Sequence, residues 1–384
     1  MFDETDDAPT QGLSRADLLR RAGGAGLVLA GASGLAPFLG GVSDAVAATS
    51  DSVTATEFCW VGSGQDITPF QVRTQYLKTH PDVTLNMVQG TNAETYPKIV
   101  TSIQVTPNNP YVNFGFFNVQ LMTQGTVDKV WLPLQPSKMS NFKRTLPQYR
   151  LPGNTGVYFA SSPIGIMYNT DVFKQKGWKP PTSWKDLWNP KFKGKVAFWD
   201  APSWAYNGLV VTARMYGGSE KNIEPGMKVF ENAAKKGQIQ SLYTSNNQAQ
   251  QLLVSGEAWI TPFFFGIMQP WAKQGAPLGY AVPKEGQIAF QLGFGMVKGS
   301  SSDQQALAMD VINAMLLPRV VEEWCLYTYS VPLVRGVRFP PSYSKLAAYQ
   351  PKNVTNQIQL NWRQIALNNN TWLQEWNQRV KANL

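Results

Sequence analysis

The 384-residue chain is 43% hydrophobic, 12% aromatic and 15% charged. This composition excludes a disordered protein and leaves room for two domains of roughly 150 residues each. The formal charge is +9 without any dense Lys/Arg tract, which argues against nucleic acid as a partner; a single histidine, His80, and two distant cysteines, Cys59 and Cys325, argue against a metal site and most acid–base or nucleophilic designs.

Residues 1–47 read as an export signal rather than as part of the fold. Ser14-Arg15-Ala16-Asp17-Leu18-Leu19-Arg20 resembles a twin-arginine motif with alanine where the second arginine belongs. Arg20-Arg21 precede a glycine- and alanine-rich stretch, and Ala45-Val46-Ala47 offers a cleavage point near Ala47. The weakly hydrophobic stretch favours the twin-arginine route, and the altered motif leaves the general secretory route open. No cysteine lies near the cleavage point, so no lipid anchor is expected, and the expected location is the periplasm. Cys59 falls in an apolar strand and Cys325 in an apolar helix, which favours two buried free thiols over a disulfide.

Ala55 to Val61 reads as the first strand, Pro69 to His80 as an amphipathic helix, and Val83 to Val88 as a second strand. A helix capped near Asn92 runs through Val105 and stops at the prolines Pro107 and Pro110. Tyr111 to Phe117 follows as a third strand. This βαβαβ opening argues for a doubly wound, mainly parallel sheet. Gly156 to Ser162 leads into the strand Ile164 to Tyr168, and Val172 to Gly177 reads as a helix closed by its glycine. After Pro180-Pro181 a short helix spans Trp184 to Trp188, and a strand from Lys195 to Trp199 delivers Asp200. Beyond it, Tyr206–Gly217, Ile223–Lys236 and Thr244–Gly256 read as helices. Ala258–Phe265 and Leu278–Pro283 read as strands. Ser302–Leu317 and Val320–Tyr329 form a helical pair, and Trp362–Val380 a long amphipathic helix.

The run Y-N-T-D-V-F at Tyr168–Phe173, then P-P-T-S-W-K-D-L-W at Pro180–Trp188, then P-K-F-K-G-K-V-A at Pro190–Ala197 resembles extracellular solute-binding proteins of ABC importers. The most similar branch is the one with polyamine- and ferric-ion-binding members. The resemblance implies a two-lobed type 2 periplasmic binding protein, each lobe a doubly wound, mainly parallel sheet flanked by helices. It places lobe 1 at 53–160 plus 289–330 and lobe 2 at 161–288 plus 331–384. It makes Val130–Leu134 and Pro136–Met139 part of a helix leaving the first lobe, and Ile288–Val297 the return crossing. It implies no enzyme activity and no cofactor, a small-molecule solute, permease subunits as partners, and a monomer. A secreted enzyme is the alternative of another class.

In such an architecture the solute lies between the lobes at strand-end loops. The residues offered there are Trp60, Ser63, Asn118, Ser162, Asp200, Ser203, Trp204, Tyr206, Asn207, Phe264 and Phe290. Polyamine binding needs carboxylates for the ammonium groups and aromatic faces for the methylene chain. Against the pattern of the polyamine binders, Trp60 and Asp200 match. Gly62 and Ser63 stand where an acid and a tyrosine are expected, Ser203 replaces a second acid, and Phe290 and Leu292 replace a tryptophan and an acid. The adjacent tyrosines that hold iron have Phe263-Phe264-Phe265 in their place. The expected solute is therefore a small organic molecule, anionic with an apolar part, held partly by backbone N–H groups where Ser203–Asn207 open a helix. A polyamine remains the alternative within the family.

Overall fold

The computed structural model describes residues 52–60, 64–200 and 208–384. The expected export signal and the candidates Ser63, Ser203, Trp204, Tyr206 and Asn207 lie outside these residues. The chain opens with β1 (Thr54–Trp60), α1 (Ile67–Thr79), β2 (Thr84–Gly90), α2 (Asn92–Val105), β3 (Phe114–Asn118), α3 (Val119–Val127), β4 (Trp131–Leu132) and β5 (Val157–Ser161). It continues through β6 (Ile164–Asn169), α4 (Thr170–Gln175), β7 (Val196–Trp199), α5 (Leu209–Met215), α6 (Glu224–Lys235), β8 (Ile239–Tyr243), α7 (Asn246–Val254), β9 (Ile260–Phe264), α8 (Phe265–Lys273) and β10 (Leu278–Ala281). Last come β11 (Gln287–Ile288), β12 (Gln291–Val297), α9 (Ser302–Met315), α10 (Pro318–Thr328), β13 (Val331–Pro332), α11 (Pro351–Thr355), β14 (Gln357–Ile358) and α12 (Trp362–Arg379).

Two sheets result. The first runs β13-β5-β12-β3-β1-β2 with β4 beside β12, and the second runs β14-β11-β6-β9-β7-β8 with β10 beside β6. Parallel pairing joins β2, β1 and β3, and likewise β8, β7 and β9. The sheets turn antiparallel where crossing strands enter: β12 between β3 and β5, and β6 beside β9. The expected return crossing Ile288–Val297 runs as two strands: β11 joins the second sheet and β12 the first, and at the link between them the Phe290 ring packs on Phe264 and Trp362, at 5.3 and 5.7 Å between centroids.

Two expectations are corrected. Val130–Leu134 and Pro136–Met139 do not form a helix. Trp131–Leu132 pairs with β12, and Pro136–Lys138 makes a single 3-10 turn; the prolines at 133 and 136 block a continuous helix. Val331–Pro332, grouped with lobe 2, pairs with Ser161–Ala160 in the first sheet.

Each sheet is sealed by aromatic packing. In the first, Phe159 contacts Trp324 at 4.8 Å and Phe294 at 5.0 Å, and Phe58 stacks on Phe117 at 5.1 Å. In the second, Phe198, Trp188, Phe230 and Trp376 form one cluster with centroids 4.7–5.3 Å apart. Fully burying such a side chain stabilises by about 1.5–3 kcal/mol. Both cysteines are buried free thiols.

The P-P-T-S-W stretch is structural. Ser183 caps its short helix together with Asp186 and donates to Glu285, and Trp184 Nε1 donates to the Gly286 carbonyl at 2.8 Å. Gly286 has φ +106°, and a Cβ there would meet the Asn356 carbonyl oxygen at 2.4 Å, so this anchor needs glycine.

Candidate functional site

A cavity of about 880 Å³ lies between the two sheets. Its floor is built from strand ends, as α/β architecture dictates. β1 supplies Trp60, β3 Asn118, the β5–β6 link Ser162, β7 Trp199, β9 Phe264, and the β11–β12 link Phe290. The structure thus brings together five of the expected residues: Trp60, Asn118, Ser162, Phe264 and Phe290.

Trp60 is held side-on. Its Nε1 donates to Asn92 Oδ1 at 2.8 Å, and its ring sits 5.5 Å from Phe116. Asn118 spends its Oδ1 on the Leu121 N–H as the cap of α3. Ser162, whose N–H donates to the Phe290 carbonyl at 2.8 Å, also lines the cavity.

Asp200 is not brought into the cavity lining. It is 9% exposed. One carboxylate oxygen accepts from Trp376 Nε1 at 3.2 Å and the other from Lys381 Nζ. This acid ties the end of β7 to the C-terminal helix; an ion-paired, indole-bonded carboxylate has little capacity left for a solute.

Other lining residues were not among the expected ones. Tyr96 comes from α2; Gln120, Leu121, Gln124 and Asp128 from α3; Trp324 and Thr328 from α10; and Ile365, Ala366, Asn369 and Asn370 from α12. α12 packs against α3, so a helix of the second lobe's side closes one flank of the cavity against the first. It is anchored at its far end, where Arg379 reaches Glu224 at 2.7 Å and Glu231 at 2.8 Å. Hydrogen bonding to Arg379 holds the Glu224 carboxyl below its ordinary range; Lys235 and Arg379 do the same for Glu231.

Electrostatically the lining is nearly neutral. Asp128 is its one charged side chain among the described residues, and no lysine or arginine lines it. The Asp128 carboxylate accepts from Tyr96 Oη at 2.5 Å and from Gln124 Nε2 at 2.9 Å. Burial and that carboxylate push the Tyr96 phenol well above its ordinary value. Fixed dipoles supply the rest of the field. The N-termini of α2, α3, α7 and α8 all reach the lining, through Thr91 and Asn92, Asn118, Ser245 and Asn246, and Gly266 and Ile267. α8 has no side-chain cap. Such ends carry partial positive charge and free N–H donors. Gln65 Oε1 also lies buried without a partner.

A scaffold of this kind, two α/β sheets flanking an aromatic and amide-lined cavity, is built to enclose a small molecule. Residues 71–351 match the family model for bacterial extracellular solute-binding proteins, and the chain belongs to that family. It is 24% identical over 210 residues to spermidine/putrescine-binding periplasmic protein 1 of Haemophilus influenzae, a match covering 54% of this chain and 53% of that protein. The chain spans 53% to 63% of the length of the curated relatives it matches. An ABC transporter structure from Clostridium perfringens superposes with a TM-score of 0.70 at 19% identity, covering 86% of this chain and 100% of the other. The binding protein AgtB of A. tumefaciens R10, in complex with agropinic acid, superposes with a TM-score of 0.64 at 20% identity, covering 86% and 99%. Structural neighbours of this kind are two-lobed periplasmic binding proteins, and the chain has their fold. No described helix is long and apolar enough to cross a membrane, and no described group of three or more His, Cys, Asp or Glu could hold a metal ion.

Proposed function

We propose that this protein captures a small organic anion with a flat or apolar part between its two lobes, closes on it by hinge motion, and delivers it to a membrane permease. Residues 1–47 serve its export to the periplasm, and it works as a monomer without catalysis. The observation that carries the ligand reading is the cavity itself: four helix N-termini meet there on aromatic walls, with one carboxylate in the described lining. N–H donors and helix dipoles favour an anion, and the rings of Trp60, Trp199, Phe264, Phe290 and Trp324 favour an apolar or planar body. AgtB, which shares the fold, is complexed with an organic acid.

Polyamine binding is the second reading, favoured by the Haemophilus relative. It requires two or more desolvated ammonium groups to share Asp128, and one carboxylate compensates them poorly. Calorimetric titration with aromatic and aliphatic carboxylates, phosphate esters, putrescine and spermidine tests the choice. Micromolar binding of an acid is expected; tight binding of putrescine or spermidine with no response to any acid overturns it.

A further inference from the structure

α3 runs the length of the cavity. Asn118 at its N-cap and Asp128 at its C-cap both line it, with Gln120, Leu121 and Gln124 between. Its nine residues span about 13 Å, so the cavity lies alongside the whole macrodipole, positive at Asn118 and negative at Asp128.

The helix does nothing to cancel that dipole. It has no acid in its first turn and no base in its last. The usual compensation is acid at the start and base at the end; here an acid, Asp128, closes the negative end. Asp128 forms no ion pair among the described residues, and its contacts are the neutral donors Tyr96 and Gln124. The N-termini of α7 and α8, which also line the cavity, likewise carry no first-turn acids; α2 alone carries one, Glu94, in its capping box. Asn369 and Asn370 of α12, the helix packed on α3, line the same cavity. Both stand in the middle of an 18-residue helix, where asparagine is a poor helix former. Local rules broken on both facing helices mark a place shaped for a ligand.

We infer that the solute is bipolar. Its anionic group lies at the Asn118 end, its planar or apolar body lies against the tryptophans, and a protonated amine lies at Asp128, antiparallel to the dipole of α3. This rests on the organic-anion reading above and narrows it to amino acids of the kind that separate their two charges by a rigid or extended body.

The test uses three compounds sharing one ring: para-aminomethylbenzoate, para-methylbenzoate and para-xylylenediamine. Each is titrated calorimetrically into the wild-type protein and into Asp128→Asn, whose amide oxygen can still accept from Tyr96 and Gln124. The amino acid should bind about tenfold tighter than para-methylbenzoate, and Asp128→Asn should erase that gap. Equal affinity of the two carboxylates for the wild type, or a gap that persists in Asp128→Asn, overturns the bipolar assignment and leaves the organic-anion reading standing. Binding of the diamine alone overturns the organic-anion reading as well. No response to any of the three overturns the placement of a ring between the two ends.

Discussion

β1 and β7 hold equivalent places, each flanked by parallel neighbours, and each carries a buried carboxylate. Their fates differ. Asp200, at the end of β7, is satisfied by Trp376 and Lys381. Glu57, inside β1, is 0% exposed and neither carboxylate oxygen finds a hydrogen bond. Burial outweighs the attraction of Arg73 and pushes its pKa from 4.5 up to about 8. A carboxylate in a strand thus says little about function until its partners are known: one of these acids fastens a helix, and the other remains protonated in the core.

The largest effect that would break this contrast is at Glu57. Its folded pKa lies above the unfolded one, so between pH 4.5 and 8 the native state binds more protons and stability falls as pH rises. Glu57→Gln should flatten that slope. It should raise stability at pH 9 by an amount on the order of a few kcal/mol and change it little at pH 4. Denaturant midpoints at the two pH values measure it, and an equal slope in both proteins would mean that Glu57 has a partner in solution. Next is Asp200→Ala, which strands Lys381 and the Trp376 indole. A loss of about 1–3 kcal/mol of stability is expected, with solute affinity retained in the protein that remains folded. The reverse pattern would return Asp200 to the solute. Smallest in stability is Trp60→Ala. Its half-buried ring packs on Phe116 at the cavity floor, so unfolding free energy should fall by about 2 kcal/mol or less while solute affinity drops tenfold or more. Unchanged affinity would make Trp60 a packing residue only.

The sequence made the strand-end floor of the cavity legible, and the reason is physical. A strand in a parallel sheet must end in a loop at the carboxyl edge, so Trp60, Asn118, Ser162, Phe264 and Phe290 could be placed from the strands that precede them. The flanks were not legible. Tyr96, Gln124, Asp128 and Asn369 sit on helix faces, and which face meets the cavity depends on how α3 and α12 pack across it, a long-range fact. Two local oddities were available: the run Asn368-Asn369-Asn370 inside a helix, and an acid where α3 ends. Asp200 misled for the opposite reason. Its position at a strand end was right, but its partners, Trp376 and Lys381, lie far along the chain.

The seam between α3 and α12 has a mechanical consequence. α12 is bolted behind the second sheet by Asp200, Glu224 and Glu231, so moving the second lobe away drags its amide-bearing face off α3. Amides lose little on such separation, since water replaces their partners at a net difference of about 1 kcal/mol per hydrogen bond. In the hinge motion proposed above, a leucine zipper in the same place would act as glue, whereas this amide-bearing seam would part and re-seat at lower cost.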